Sequence, residues 1–401
     1  MPILLFTNIR FFVFAHIVVA IISSGVVSCS IAYADEGIIW DRFRLLPALN
    51  ISEKHSDNIY LTAADRRQDA VTTLSPQVSL DFAIAPDNYL KMSYEGNFSL
   101  HSTAHNFKHD SHKAGASWEW MTAKGSLFKI GAALNVDSMQ PYAEDDSYKS
   151  FTDNKWFGET ILALTMLTGI GVSYEHMRRD FEKTRYSSDD YDRDSVTVQL
   201  SSKRLPDGMI TAAYSYFHQD NKDVAVSYSD VDSHIFLIGA QWDPSNRLYG
   251  HLKGGYYRIM TEDGSDSSGF AVDTNLGYRV TDATLFTLTA FRKVAPSTQT
   301  ARESGTYYTS TGGGLKMTYS GVKDLMCAVT AYYRHNEFTP FGTEPGTERK
   351  DDYFDAGLSM RYAVQRWISF VADYRHRVNY SSVDAEEYRE NTIQFQVRFA
   401  L

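Results

Sequence analysis

The residues able to do chemistry are scattered along this chain, and their spacing decides what each group can do. His101, His105, His109 and His112 crowd one short stretch. On a helix, spacings of four would stack imidazoles on one face, an arrangement that suits a metal ion. On a strand, His101, His105 and His109 point one way and His112 the other, and such a site is lost. Asp190, Asp192 and Asp194 copy the first ligand positions of a calcium loop. The sixth position is Ser195 where glycine is needed, and the twelfth is Ser201 where a bidentate Glu is needed, so that pattern fails. Gly312-Gly313-Gly314 is followed by neither Lys-Ser/Thr nor a helix and cradles no phosphate. Glycines there let a strand bend or admit a bulky neighbour. Ser and His are plentiful, yet no nucleophile and base stand at a telling spacing. No catalytic residue, cofactor or resident metal is therefore expected.

What remains is charge in a repeating context. Asp81, Lys91, Glu95, Glu119, Lys129, Glu175, Lys253, Asp273, Arg279, Arg334, Asp355, Arg361, Asp373, Arg375 and Arg398 each lie on the polar side of a stretch whose other side is apolar. Such groups either pair across neighbouring strands to hold a wall or line a polar conduit. The elements that position them share one pattern, clearest in the last stretch. There Ile393, Phe395, Val397, Phe399 and Leu401 alternate with Thr392, Gln394, Gln396, Arg398 and Ala400. A period of two makes a strand apolar on one side and wet on the other. The alternation runs back through the chain to Leu45, Pro47, Leu49 and Ile51, and about eighteen such segments are countable, sixteen at the least. Pro76 would demote a central strand, but the alternation around it is unbroken. Around Leu285 and Phe291 the choice of face stays open.

Every second connection is short, as at Ala85-Pro86-Asp87-Asn88 and Leu205-Pro206-Asp207-Gly208, while the others run longer and are rich in Asp, Ser and Asn. A soluble sandwich would alternate too, but its strands run about five or six residues. These read as about nine to eleven, the length a tilted strand needs to cross a bilayer. Closure into a ring also removes two exposed edges. Trp118, Trp120, Trp156, Trp242, Tyr278 and Tyr362 gather near segment ends, as residues at headgroup level do. The expected fold is all-β: a transmembrane antiparallel up-and-down barrel over residues 35–401, with short periplasmic turns and long extracellular loops. Charged side chains facing lipid would cost several kcal/mol near the midplane, so the fifteen charges above are expected to line the lumen.

Residues 1–34 read as a secretory signal. Arg10 precedes an apolar run, and Ala32-Tyr33-Ala34 offers small residues for cleavage after Ala34, with a lipoprotein reading at Cys29 as the alternative. Beyond Cys29 only Cys327 remains, so no intramolecular disulfide can form. A net charge of −10 argues against nucleic acid as a partner. The acidic stretch at Asp190 to Asp194 then becomes a solvated loop, bridged to lipopolysaccharide through divalent ions.

Two resemblances complete the reading. A chain ending on an apolar alternating strand resembles the terminal signal of bacterial outer-membrane barrels, although Leu401 stands where Phe is usual. That implies the outer membrane as location and its barrel assembly machinery as a partner. Leu46-Pro47-Ala48-Leu49, Asp57-Asn58-Ile59-Tyr60, Asp69-Ala70-Val71 and Leu74-Ser75-Pro76 look like the start of the family called putative β-barrel porin 2. The resemblance implies an outer-membrane component of exopolysaccharide or capsule export, working beside a periplasmic polysaccharide co-export protein. A polar lumen with Tyr249, Tyr257 and Tyr332 would suit a sugar chain that slides without being gripped. The alternatives are a general or substrate-specific diffusion porin for small solutes and a largely plugged structural barrel, with a barrel-rim hydrolase behind them.

Overall fold

The alternation becomes one sheet wound on itself. The computed structural model describes residues 37–103, 110–139, 149–182, 190–205, 207–222, 230–242, 247–262, 266–296, 307–338 and 349–401. The signal expected over residues 1–34 lies outside them. In chain order the strands are β1 (Ile38–Trp40), β2 (Phe43–Ser56), β3 (Asp69–Ala85), β4 (Asn88–His101), β5 (Asp110–Met121), β6 (Leu127–Met139), β7 (Lys149–Ala163), β8 (Thr168–Phe181), β9 (Tyr191–Leu205) and β10 (Gly208–Asn221). They continue as β11 (Val231–Trp242), β12 (Leu248–Thr261), β13 (Ser267–Thr281), β14 (Thr284–Pro296), β15 (Tyr307–Val322), β16 (Leu325–Phe338), β17 (Lys350–Gln365), β18 (Ile368–Ser381) and β19 (Tyr388–Ala400). From β2 onward each pairs antiparallel with the next, and β19 pairs back onto β2, which closes a barrel of eighteen strands. The short β1 folds onto Phe43 to Leu45 of β2, a stretch that β19 leaves free.

The barrel strands run from 12 residues in β5 to 17 in β3, longer than the sequence suggests. A ladder of hydrogen bonds has no reason to stop where lipid stops, and the extra residues stand toward the long connections. Pro76 leaves a local mark: the β3–β4 ladder omits the pairs at Ser75 and Pro76 and resumes in register at Gln77↔Glu95, because proline has no N–H to give. In the short turns Asp87 and Asp324 take φ of 59° and 61°, a left-handed conformation that aspartate tolerates.

One face of the barrel is bare hydrocarbon. Ile130, Trp156, Phe270 and Phe395 are each about 60% exposed on it (60%, 63%, 61% and 58%). Covering such a side chain is worth about 1.5–3 kcal/mol, so a face built of them is stable only against lipid tails. Its upper limit is drawn by a repeat, Tyr-x-His, at Tyr174/His176, Tyr216/His218, Tyr333/His335 and Tyr374/His376. In each, the Tyr hydroxyl and His Nδ1 meet one acceptor on the next strand. The acceptors are Asp194 (2.6 and 3.0 Å), Asp232 (2.6 and 3.1 Å), Asp352 (2.6 and 2.9 Å) and Asn391 (3.0 and 2.8 Å). Carboxylates on the outward face must stand clear of the hydrocarbon, so these clusters mark the headgroup level. Toward the short turns the limit is aromatic: Trp120 stacks on Phe128 and Trp367 on Phe399.

The closing seam explains the Asp57-Asn58 pair. Asn58 is fully buried; its amide donates to the carbonyls of Thr62 (2.8 Å) and Arg389 (2.9 Å). Asp57 accepts from the backbone and side-chain N–H of Asn391 at 2.7 and 2.6 Å. Next to them Ser56 donates to buried Glu390 at 2.7 Å. First and last strands are thus clasped by side chains as well as by their ladder.

Candidate functional site: the barrel interior

The inner face carries aromatic rings, and five of them lie over glycines. Phe157 faces Gly131, Tyr249 faces Gly277, Tyr257 faces Gly269, Phe291 faces Gly312 and Tyr332 faces Gly314 across their ladders. At every one of these glycines a Cβ would run into the opposing ring. The missing side chains therefore let the rings lie along the wall instead of projecting into the bore. Phe291 and Tyr332 stack at 6.1 Å and Tyr332 meets Tyr353 edge-on at 6.3 Å, a continuous aromatic strip from β14 to β17. Gly312 and Gly314 thus admit bulky neighbours, and Phe291 and Leu285 face inward while Leu288 is outward and exposed.

At the long-loop end one part of the interior is apolar. The β13–β14 ladder stops at Val272↔Arg292, although β14 runs on to Pro296. The released end brings Val294 and Tyr307 against Val231, Tyr257, Ile259 and Ala271, all buried. Tyr257 belongs to the inner wall, so this end of the β14–β15 hairpin leans into the bore and narrows it.

Two adjoining cavities lie along β14 to β19 and β2 to β4. One, of about 430 Å³, is walled by hydroxyls and amides such as Asn50, Ser52, Thr73, Gln77, Asn97 and Gln396, with Glu95 and His101. The other, of about 1020 Å³, holds Tyr332, Tyr353 and Tyr388 with Lys54, Arg334, Asp355, Asp373, Arg375 and Arg377. Lys54 and Gln394 line both, so the two adjoin.

All fifteen charges singled out in the sequence stand on the inner side of the alternation. Several are brought together. Lys91 and Lys129 share Glu119, the latter at 2.9 Å. Lys155, not foreseen, pairs with Glu175. Arg375 holds Asp355 through Nε at 2.9 and 2.8 Å. Lys253 lies across from Asp273, which also meets His251 at 3.1 Å. Asp81 stands opposite Lys91 in register. Arg279 packs on the Tyr249 ring at 4.9 Å and Arg334 on Tyr353 at 5.0 Å. Arg361 and Arg398 lie toward the short-turn end, across from Met326 and Asn50 respectively.

His101 and His112 do not converge. His101 faces inward and bonds Asp69 at 2.7 Å, while His112 faces outward and bonds Tyr94 at 2.9 Å; His105 and His109 lie outside the described residues. Among the described residues no group of His, Cys, Asp and Glu is arranged to hold a metal ion. The three aspartates also separate: Asp190 accepts the Phe181 N–H at 2.6 Å, Asp192 meets Lys222 at 2.8 Å, and Asp194 serves the Tyr174/His176 cluster.

Sequence reading missed Lys54, Arg377, Tyr353, Tyr388 and Glu390. Lys54 and Arg377 stand beyond the last apolar residue of their segments, where the strand outlasts the lipid. The same polar-side parity, carried a few residues further, would have found both.

Residues 211–401 match the family model described as Putative beta-barrel porin 2. This is the family resembled by the opening motifs, found through the other half of the chain, since Leu46 to Pro76 lie outside the matched span. No curated protein matches in sequence. Among solved structures, the outer membrane protein OpdK from Pseudomonas aeruginosa has a TM-score of 0.50 at 10% identity, over 89% of this chain and 99% of that one. OpdL from the same organism has a TM-score of 0.49 at 11% identity, over 90% and 99%. The siderophore receptor PirA from Pseudomonas aeruginosa has 0.47 at 8%, over 89% and 80%. The likeness to OpdK is one of fold. The family match and the closed barrel together make this chain a porin-type β-barrel of the bacterial outer membrane.

Proposed function

We propose that this porin-type barrel passes a saccharide chain, as the outer-membrane component of exopolysaccharide or capsular polysaccharide export. The observation that carries the reading is the storage of the lumen aromatics flat over glycines, next to a wall of hydroxyls and amides. A sugar ring has an apolar C–H face and a hydroxyl edge. A ring lying along the wall meets the first without blocking the bore; Ser, Thr, Asn and Gln exchange hydrogen bonds with the second. Each such exchange is worth only about 0.5–1.5 kcal/mol net, so a chain can be guided and still move.

A periplasmic polysaccharide co-export protein would meet the short-turn mouth, lipopolysaccharide would surround the Tyr-x-His level, and the barrel assembly machinery would read β19. An N-terminal signal ending at Ala34 would deliver the chain. The test is planar-bilayer conductance of the purified barrel with and without a soluble polysaccharide. An ion current broken by polysaccharide-dependent pauses supports export. An unbroken current supports a diffusion porin, and absence of current supports a plugged barrel, the state toward which the apolar contact of Val294 and Tyr307 would lead.

A further inference from the structure

The larger cavity holds more positive charge than its own acids consume. Five cations reach it, Lys54, Lys316, Arg334, Arg375 and Arg377, against Asp355 and Asp373. Arg375 is held by Asp355, and Arg377 by Glu390, with Nε at 2.7 Å from the carboxylate. Lys54, Lys316 and Arg334 have no ion-pair partner among the described residues, and the Nε of Arg334 is buried without a hydrogen-bond acceptor. In a chain with a net charge of −10 this local excess is not an average property. A guanidinium with an unused donor, steadied on the ring of Tyr353, is a receptor for a planar anion.

We infer that this cavity binds a carboxylate-bearing sugar unit, with Arg334 and Lys54 receiving the carboxylate and Tyr332 and Tyr353 facing the sugar ring. The inference rests on the saccharide reading above and adds the charge of the cargo. Two neutral features argue for a sugar over a bare carboxylate. The Tyr332–Tyr353 pair lies beside the free guanidinium, and the hydroxyl and amide cavity adjoins at Lys54 and Gln394. A uronate places a carboxylate on the rim of a ring whose hydroxyls can use that adjoining wall. Repeated acidic units could then hand over from one to the next, because Arg375 and Arg377 stay close by but already partnered.

The test is calorimetric titration of the purified barrel in detergent, at low salt, with trigalacturonate and with its fully methyl-esterified form. The ester keeps the sugar chain and removes the charge. The acid should bind, and the ester at least about tenfold more weakly, the scale of one charge-assisted hydrogen bond. Arg334→Gln and Lys54→Gln should each weaken the acid about tenfold. Lys129→Gln, a change in the paired Lys91–Glu119–Lys129 set, should leave it within about twofold, the small effect of an already screened pair. Equal binding of acid and ester, equal loss in Lys129→Gln, or no binding by protein that still shows heat-modifiable migration would overturn the inference. The two readings fail separately. A current paused equally by acidic and by neutral polysaccharide, in the wild type and in Arg334→Gln alike, keeps the conduit and removes the site. Binding of the acid without any current keeps the site and removes the conduit.

Discussion

On the inner wall of β4 to β8 several charges come in closed sets. Lys91 and Lys129 share Glu119, Lys155 meets Glu175, and Arg179 forks onto Asp153 at 2.6 and 2.9 Å with Phe151 beneath its guanidinium. Across the bore, on β14 to β19 and β2, the same alternation leaves Lys54, Lys316 and Arg334 over, beside three tyrosines. The difference teaches that a polar face can be spent on the wall or kept for cargo. What separates the two is whether each charge finds its opposite one strand away.

The largest effect should come from opening a closed set. Arg179→Gln removes one arm of a nearly buried fork, 14% and 11% exposed at its two side chains, and leaves Asp153 uncompensated. A loss of about 2–3 kcal/mol is expected, seen as a lower urea midpoint for the shift between compact and unfolded migration. Arg334→Gln on the other wall should move that midpoint hardly at all, within about 0.5 kcal/mol. If both variants lose equal stability, the contrast between the walls is wrong.

Glu119→Gln should have a middling effect. Lys91 and Lys129 then face each other with no acid between them, at a site partly open to water, so about 1 kcal/mol is expected. Its sharper readout is the reversal potential under a salt gradient, which should move toward anion preference. An unmoved reversal potential would mean that the pair does not border the ion path.

Gly314→Val should act least on stability, by under about 1 kcal/mol, because Val suits a strand. It displaces the Tyr332 ring toward the bore, where a Cβ would stand 3.0 Å from its Cδ2. Conductance should fall, and Phe157→Ala on the other wall should raise it. Unchanged currents in both would show that the rings do not set the width.

The sequence made the outer face legible because lipid enforces it: strand number, closure and the polar-side parity of the fifteen charges follow from an apolar residue at each second position. The inner face obeys no such single rule. Tyr353 and Tyr388 sit on wet parity, where an aromatic breaks no pattern and draws no notice. The inward lean of β14 depends on where its ladder to β13 lapses, at Val272↔Arg292, which no local spacing announces. The Tyr-x-His repeat was plain in the letters, yet its meaning needs Asp194, Asp232, Asp352 or Asn391 from the next strand. Strand lengths were underestimated for the same reason that Lys54 and Arg377 were overlooked: the lipid pattern ends before the strand does.

The most direct test uses the native Cys327, which faces the lipid between Tyr319 and Met360, and the nearby Thr330, which lines the large cavity. In liposomes, a charged membrane-impermeant thiol reagent should leave Cys327 unlabelled. It should label Thr330→Cys in a Cys327→Ala background. Labelling of Cys327 with Thr330→Cys left untouched would turn the barrel inside out and end the account.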